Sequence, residues 1–138
     1  MKKLIIILLM NIIVFNAAAE VNSFNEGKML FLNKKYEEAK IYFEKDIVFN
    51  PKNEKSYLYL AKIFKENGKV ELEENNLETV ILINPKNEEG IHQLILLNIK
   101  KSNYSKSKEL INNFASICKK MCSSKSDLEE KLNIASKK

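Results

Sequence analysis

The chain carries one histidine and two cysteines, so its means for acid-base or covalent chemistry are few. His92 stands among Ile91, Leu94 and Ile95. A hydrolytic triad needs a histidine base between a nucleophile and an orienting carboxylate, and these apolar neighbours fit a structural or surface histidine better. Cys118 and Cys122 enclose Lys119, Lys120 and Met121, which is neither the Cys-x-x-Cys redox spacing nor, with no histidine following, a haem attachment site. A metal would need two ligands beyond the cysteines, and only His92 is chemically suited. The acid pairs Glu37/Glu38, Glu73/Glu74, Glu88/Glu89 and Glu129/Glu130 each lie near an expected helix start, where negative charge complements the helix dipole, and are read as such rather than as catalytic pairs. There is no glycine-rich phosphate loop and no two-histidine motif. These residues predict no enzyme, no catalytic residue, no metal and no cofactor.

Compartment decides how the cysteines read. Residues 1–19, MKKLIIILLMNIIVFNAAA, have a Lys2-Lys3 start, an apolar run from Leu4 to Phe15 broken only by Asn11, and Ala17-Ala18-Ala19. That is the layout of a secretory signal peptide, with the cut expected after Ala19. The run is about half the ~20 residues a membrane-spanning helix needs. No cysteine follows it, so no lipid attachment site is expected, and the mature chain is expected to be periplasmic or secreted without stable membrane insertion. The Lys/Asn/Ile-rich composition reads as bacterial. In an exported protein the even cysteine count suggests one Cys118–Cys122 disulfide, since helical residues four apart have alpha carbons ~6 Å apart. Free thiols and a thiol-dependent redox or regulatory role remain the alternatives. So short a ring would act locally, holding its two flanks in register.

With residues 1–19 removed, 119 of the 138 remain, enough for one domain with a modest core. Composition is 45% hydrophobic and 30% charged with three glycines and two prolines, which favours an all-helical chain over turn-dense sandwiches. Twenty-three basic against 18 acidic residues give +5, and loss of Lys2 and Lys3 leaves +3. The lysines are dispersed, and Lys34-Lys35, Lys100-Lys101 and Lys119-Lys120 suit turns and helix ends, so no nucleic-acid partner is expected.

The elements that place these residues repeat. Asn50-Pro51-Lys52-Asn53 recurs as Asn84-Pro85-Lys86-Asn87, 34 residues on. The same offset carries Tyr36 to Val70 to Tyr104, Phe43 to Leu77 to Ile111, Leu30 to Phe64, and Gly27 to Ala61. Tyr57, Leu60, Ala61 and Phe64 make one helical stripe that stops at Asn67-Gly68. Val70, Leu77, Val80 and Ile81 make a second that stops at Asn84-Pro85. Asn53 and Asn87 stand where the next helices need caps. Ser126-Asp127-Leu128-Glu129 reads as a capping box opening a final helix whose apolar edge is Leu128 and Leu132.

On this period and these residues the chain resembles the tetratricopeptide repeat (TPR) family over its mature length. The resemblance divides it into repeats 20–53, 54–87 and 88–121, followed by a linker and capping helix at 122–138. Repeat one supplies Gly27, Tyr36, Ala39, Phe43 and Pro51; repeat two supplies Tyr57, Leu60, Ala61, Phe64, Gly68 and Pro85. Repeat two departs from the family at Glu73, where a small residue is expected. Repeat three departs at Ile95 and Ser102, and no proline closes it. The implied fold is all-α, three helical hairpins stacked as a short right-handed solenoid, each with a helix A and a helix B, plus a capping helix. The C-terminal end is then covered. The N-terminal end, with Phe24, Leu30, Phe31 and Leu32, is expected to be an apolar edge.

The resemblance also implies a binding face formed by the A helices. It carries over onto Phe24, Lys28 and Phe31, then Leu58, Tyr59, Lys62 and Lys65, then His92, Gln93, Leu96 and Ile99. This is an aromatic and aliphatic groove with a cationic stripe. The family's carboxylate clamp is not met, because Lys28 stands where an asparagine would be and Leu96 where a basic residue would be. The implied function is a non-enzymatic adaptor of the periplasm or cell envelope that binds a protein or peptide, an envelope component. The alternatives are the thiol-dependent role of Cys118 and Cys122 and a structural homo-oligomer that buries the repeat-one edge.

Overall fold

The computed structural model describes residues 23–137; the signal peptide expected at residues 1–19 and its expected cut after Ala19 lie outside them. The described residues form seven helices and no strand: α1 over 23–32, α2 Tyr36–Phe49, α3 Glu54–Glu66, α4 Val70–Ile83, α5 Glu88–Lys100, α6 Tyr104–Ile117 and α7 Ser124–Ser136. Helices pair in sequence as α1–α2, α3–α4 and α5–α6, and the all-helical hairpin stack expected from the sequence is what forms. No helix among the described residues is long and apolar enough to cross a membrane.

Two kinds of turn set the geometry. Inside each hairpin the chain reverses through one left-handed residue, at Lys34 (φ 60°), Gly68 (φ 67°) and Ser102 (φ 61°). Each reversal is closed by the same hydrogen bond: the Lys35 amide to Leu30 O, Lys69 to Phe64 O and Asn103 to Asn98 O, at 2.8–2.9 Å. Only Gly68 meets this φ without a Cβ cost. Between hairpins the two Asn-Pro-Lys-Asn segments adopt one shape, with the Asn53 amide on Asn50 O at 2.9 Å and the Asn87 amide on Asn84 O at 3.0 Å. Their last asparagines cap the next helices: Asn53 Oδ1 accepts from the Lys55 amide and Asn87 Oδ1 from the Gly90 amide.

The core lies in three clusters, one per joint of the stack. Ala39 and Phe43 meet Leu60, Ile63 and Phe64; Leu58, Ala61, Leu77 and Val80 meet Leu94 and Leu97; Ile91, Ile95, Ile111 and Phe114 meet Leu128. Gly27 shows why helix A of repeat one needs a small residue, since a Cβ there would lie 2.9 Å from the Phe43 ring.

Helix α7 covers the C-terminal end. Leu128 is fully buried, and the Tyr104 hydroxyl donates to Ala135 O at 2.9 Å. Its start differs from the sequence expectation. The helix begins at Ser124 and not after a cap at Ser126, because the Ser124 and Lys125 amides already bond to Met121 O and Cys122 O. The capping box therefore does not form; Asp127 lies in the first turn and pairs with Lys131. Glu129 and Glu130 fall in mid-helix, where Glu129 meets Lys125 at 3.5 Å.

Candidate functional site

The A helices α1, α3 and α5 stand side by side, and their side chains meet across the joints. Between α1 and α3 the contact is aromatic. Tyr59 stacks on Phe43 at 5.0 Å between centroids, while Phe24 and Phe31 approach the same Tyr59 ring edge-on at 5.8 and 5.0 Å. Lys62 Nζ sits 4.8 Å from that ring. Phe24, Phe31 and Tyr59 are thus half-buried members of the first core cluster. Leu58 lies in the second cluster at 6% exposure.

Between α3 and α5 the contact is polar. Lys62 Nζ lies 2.6 Å from Glu89 Oε1, and Lys65 Nζ donates to Gln93 Oε1 at 2.9 Å. Behind them Glu73 of α4 reaches a gap shared with Ala61, Lys62, Lys65, Leu77 and Gln93. Burial pushes the Glu73 carboxyl above its usual range, and the nearby Lys65 and Lys100 pull it back. Of the groove lysines only Lys28 makes neither an ion pair nor a side-chain hydrogen bond among the described residues.

Along α5 the other expected site residues, His92, Leu96 and Ile99, lean toward the C-terminal cluster. The His92 ring is 6.3 Å from Phe114, and burial holds its pKa below the usual histidine value, with Asp127 opposing. Leu96 and Ile99 pack partly against the C-terminal cluster. Their remaining surface lines an open cleft of about 690 Å³, completed by Tyr104, Ile134 and Ala135, with Lys100 and Lys131 also in its walls.

Cys118 directly follows α6, and Cys122 stands two residues before α7. Their alpha carbons are 5.2 Å apart and their sulfurs face each other at bonding distance. Sequence reasoning missed what the intervening residues do. Glu88, in the first turn of α5, accepts from the Lys119 amide at 2.9 Å, the Lys120 amide at 3.0 Å and the Met121 amide at 2.7 Å. The Met121 amide does most to hold this carboxyl below its usual range, and those of Lys120 and Lys119 add to it. Also unforeseen is the buried Asp46, which accepts from Asn53 Nδ2 at 2.7 Å and from the Ser56 hydroxyl. No group of three metal-ligating side chains converges among the described residues.

No family model and no curated protein matches the chain at the sequence level. Solved structures do match in shape. The Arabidopsis OM64 TPR domain superposes with a TM-score of 0.75 at 17% identity, over 86% of this chain and 98% of that one. The first TPR of Spaghetti (RPAP3) bound to the HSP90 peptide SRMEEVD gives 0.74 at 13% identity, over 86% and 97%. The Yersinia enterocolitica type III secretion chaperone SycD in complex with a peptide of the translocator YopD gives 0.72 at 12% identity, over 83% and 90%. The chain has the tetratricopeptide-repeat fold.

Proposed function

We propose that this chain is a non-enzymatic adaptor that binds a protein or peptide segment along the face of α1, α3 and α5 and works in the bacterial periplasm or cell envelope. The observation that carries the reading is the cleft beside Leu96 and Ile99, apolar in its floor and bordered by Lys100 and Lys131. A cleft of this kind takes an aliphatic side chain, while the unpaired Lys28 at the far end of the face offers a second contact. Two structures of the same fold hold peptides, RPAP3 an HSP90 segment and SycD a YopD segment, which supports a peptide as ligand. The export signal at residues 1–19 supports the compartment and an envelope component as partner. In that compartment Cys118 and Cys122 are read as a disulfide.

The test is to capture partners from envelope extract with the chain from Glu20 to Lys138, then map binding by amide chemical shifts. Shifts centred on Leu96, Ile99 and Ile134 support the reading. Shifts confined to Val48 and Leu82 on the other side of the stack overturn it.

A second reading is favoured by one comparison of register. Ile63 and Leu97 are covered by the repeat before them, at 0% and 3% exposure, whereas Met29 holds the same repeat position at 57%. Two copies meeting at the exposed Met29 side of α1 would form a dimer, which sedimentation would detect.

A further inference from the structure

The loop from Cys118 to Cys122 is the joint between the repeats and α7, and it does two things at once. It brings its two sulfurs together, and it turns three consecutive amides, of Lys119, Lys120 and Met121, onto the one carboxylate of Glu88. Successive amides converge in this way only while the backbone stays curled into a nest. Helix α7 rests on α5 and α6 through the fully buried Leu128, the half-buried Leu132 and the Tyr104 bond to Ala135 O, and the loop sets how it enters that contact. Thirteen residues are marginal as a helix without tertiary support.

We propose that this loop is a redox-operated latch: closed as a disulfide it keeps the amides of residues 119–121 on Glu88 and α7 on the stack, and opened by an external dithiol it releases both. The proposal rests on the reading that the two cysteines are bonded in the native protein. Cys122 is exposed while Cys118 is half-buried against the C-terminal cluster, so the incoming thiolate attacks the Cys122 sulfur. The sulfur–sulfur bond breaks and Cys118 leaves as a thiolate that takes up a proton. The second thiolate of the dithiol then displaces Cys122 from the mixed disulfide. Two electrons and two protons pass to the protein, and the dithiol ends as its own disulfide. Leu128, Ile91 and Ile95 lose their cover, and the α7 wall of the Leu96 cleft is lost with it.

The experiment uses the chain from Glu20 to Lys138, native and after dithiothreitol, with thiols counted by alkylation and backbone protection read by hydrogen exchange. The native protein should show no free thiol. On reduction, amides of residues 119–121 and of α7 should exchange about tenfold faster or more, with α3 and α4 unchanged. Cys118→Ser with Cys122→Ser should reproduce the reduced pattern without dithiothreitol. In the oxidised form Glu88→Gln should speed exchange at residues 119–121. Two free thiols in the native protein, equal α7 protection in both forms, or a loss of protection spread evenly over α3 to α7 would each overturn the latch. None of these outcomes depends on whether the inner face binds a peptide.

Discussion

The Lys62 ammonium on α3 lies 2.6 Å from the Glu89 carboxylate on α5, so a cation that the sequence offers to a ligand is already answered inside the chain. Lys65 is treated likewise by Gln93. The positive charge of this face that no hydrogen bond or ion pair answers among the described residues lies toward its ends, at Lys28 and at Lys100 in the cleft, the latter also acting at a distance on Glu73.

The salt dependence of partner association should follow that displacement. Lys28→Glu or Lys100→Glu should slow the on-rate and flatten its salt dependence more than Lys62→Ala does. Stopped-flow rates at several salt concentrations check this. The Lys62–Glu89 pair is partly exposed, and a double-mutant cycle should find a coupling of only about 0.2–1 kcal/mol.

Tyr59→Ala should first be a stability variant. Its ring touches Phe24, Phe31 and Phe43, so its loss opens the joint between repeats one and two, at a cost of about 2–3 kcal/mol. Leu60→Ala and Phe64→Ala, in the same cluster, should cost ~2–5 kcal/mol each, and Lys65→Ala under about 0.5 kcal/mol. Urea midpoints of the four variants give the ranking, and equal values would contradict the helical phase.

Ser102→Gly should stabilise the protein. Ser102 holds φ 61°, where Gly68 stands in the preceding repeat, and removing its Cβ relieves about 1–2 kcal/mol of strain against a smaller loss through the unfolded chain. A net gain of ~0.5–1 kcal/mol is expected from denaturant unfolding, and Lys34→Gly should act in the same direction.

Two glutamates should tilt the pH profile in opposite senses. Glu88 is held low by the loop amides, so its contribution is present above the unfolded carboxylate value of about 4 and is lost as pH falls through the lowered folded value. Glu73 is held high by burial, so its contribution is present below about pH 4 and is lost as pH rises through the raised folded value. Glu88→Gln should therefore weaken acid dependence, and Glu73→Gln should raise the thermal midpoint at pH 7 more than at pH 4. Scanning calorimetry at both pH values separates them.

Export predicts a mass. Protein recovered from the envelope fraction should weigh as a chain starting at Glu20, and a full-length, membrane-retained species would count against the periplasmic reading.

What the sequence made legible was periodic. The 34-residue offset, the Asn-Pro-Lys-Asn turns with their capping asparagines, and the Leu60–Phe64 stripe are local patterns, and each maps onto an element. Contacts across the period were hidden. Glu88 reads as a dipole-facing acid at a helix start, which it is, but its amide partners lie 31 to 33 residues on. Asp46 occupies a place that Val80 and Phe114 fill in the other repeats, and its burial depends on Asn53 and Ser56 arriving from the next hairpin. Lys62 and Lys65 read as available because nothing local pairs with them; their partners sit one repeat away.

The two identical proline joints also bear on length. Each hands the chain from one hairpin to the next with the same geometry, so a further 34-residue unit inserted at either would meet matching surfaces on both sides. The third joint is built otherwise: Lys119 stands where Pro51 and Pro85 stand, and its amide is committed to Glu88. Growth of the array by duplication is thus open at the two proline joints, whereas a unit inserted at the loop from Cys118 to Cys122 would have to break its amide contacts with Glu88.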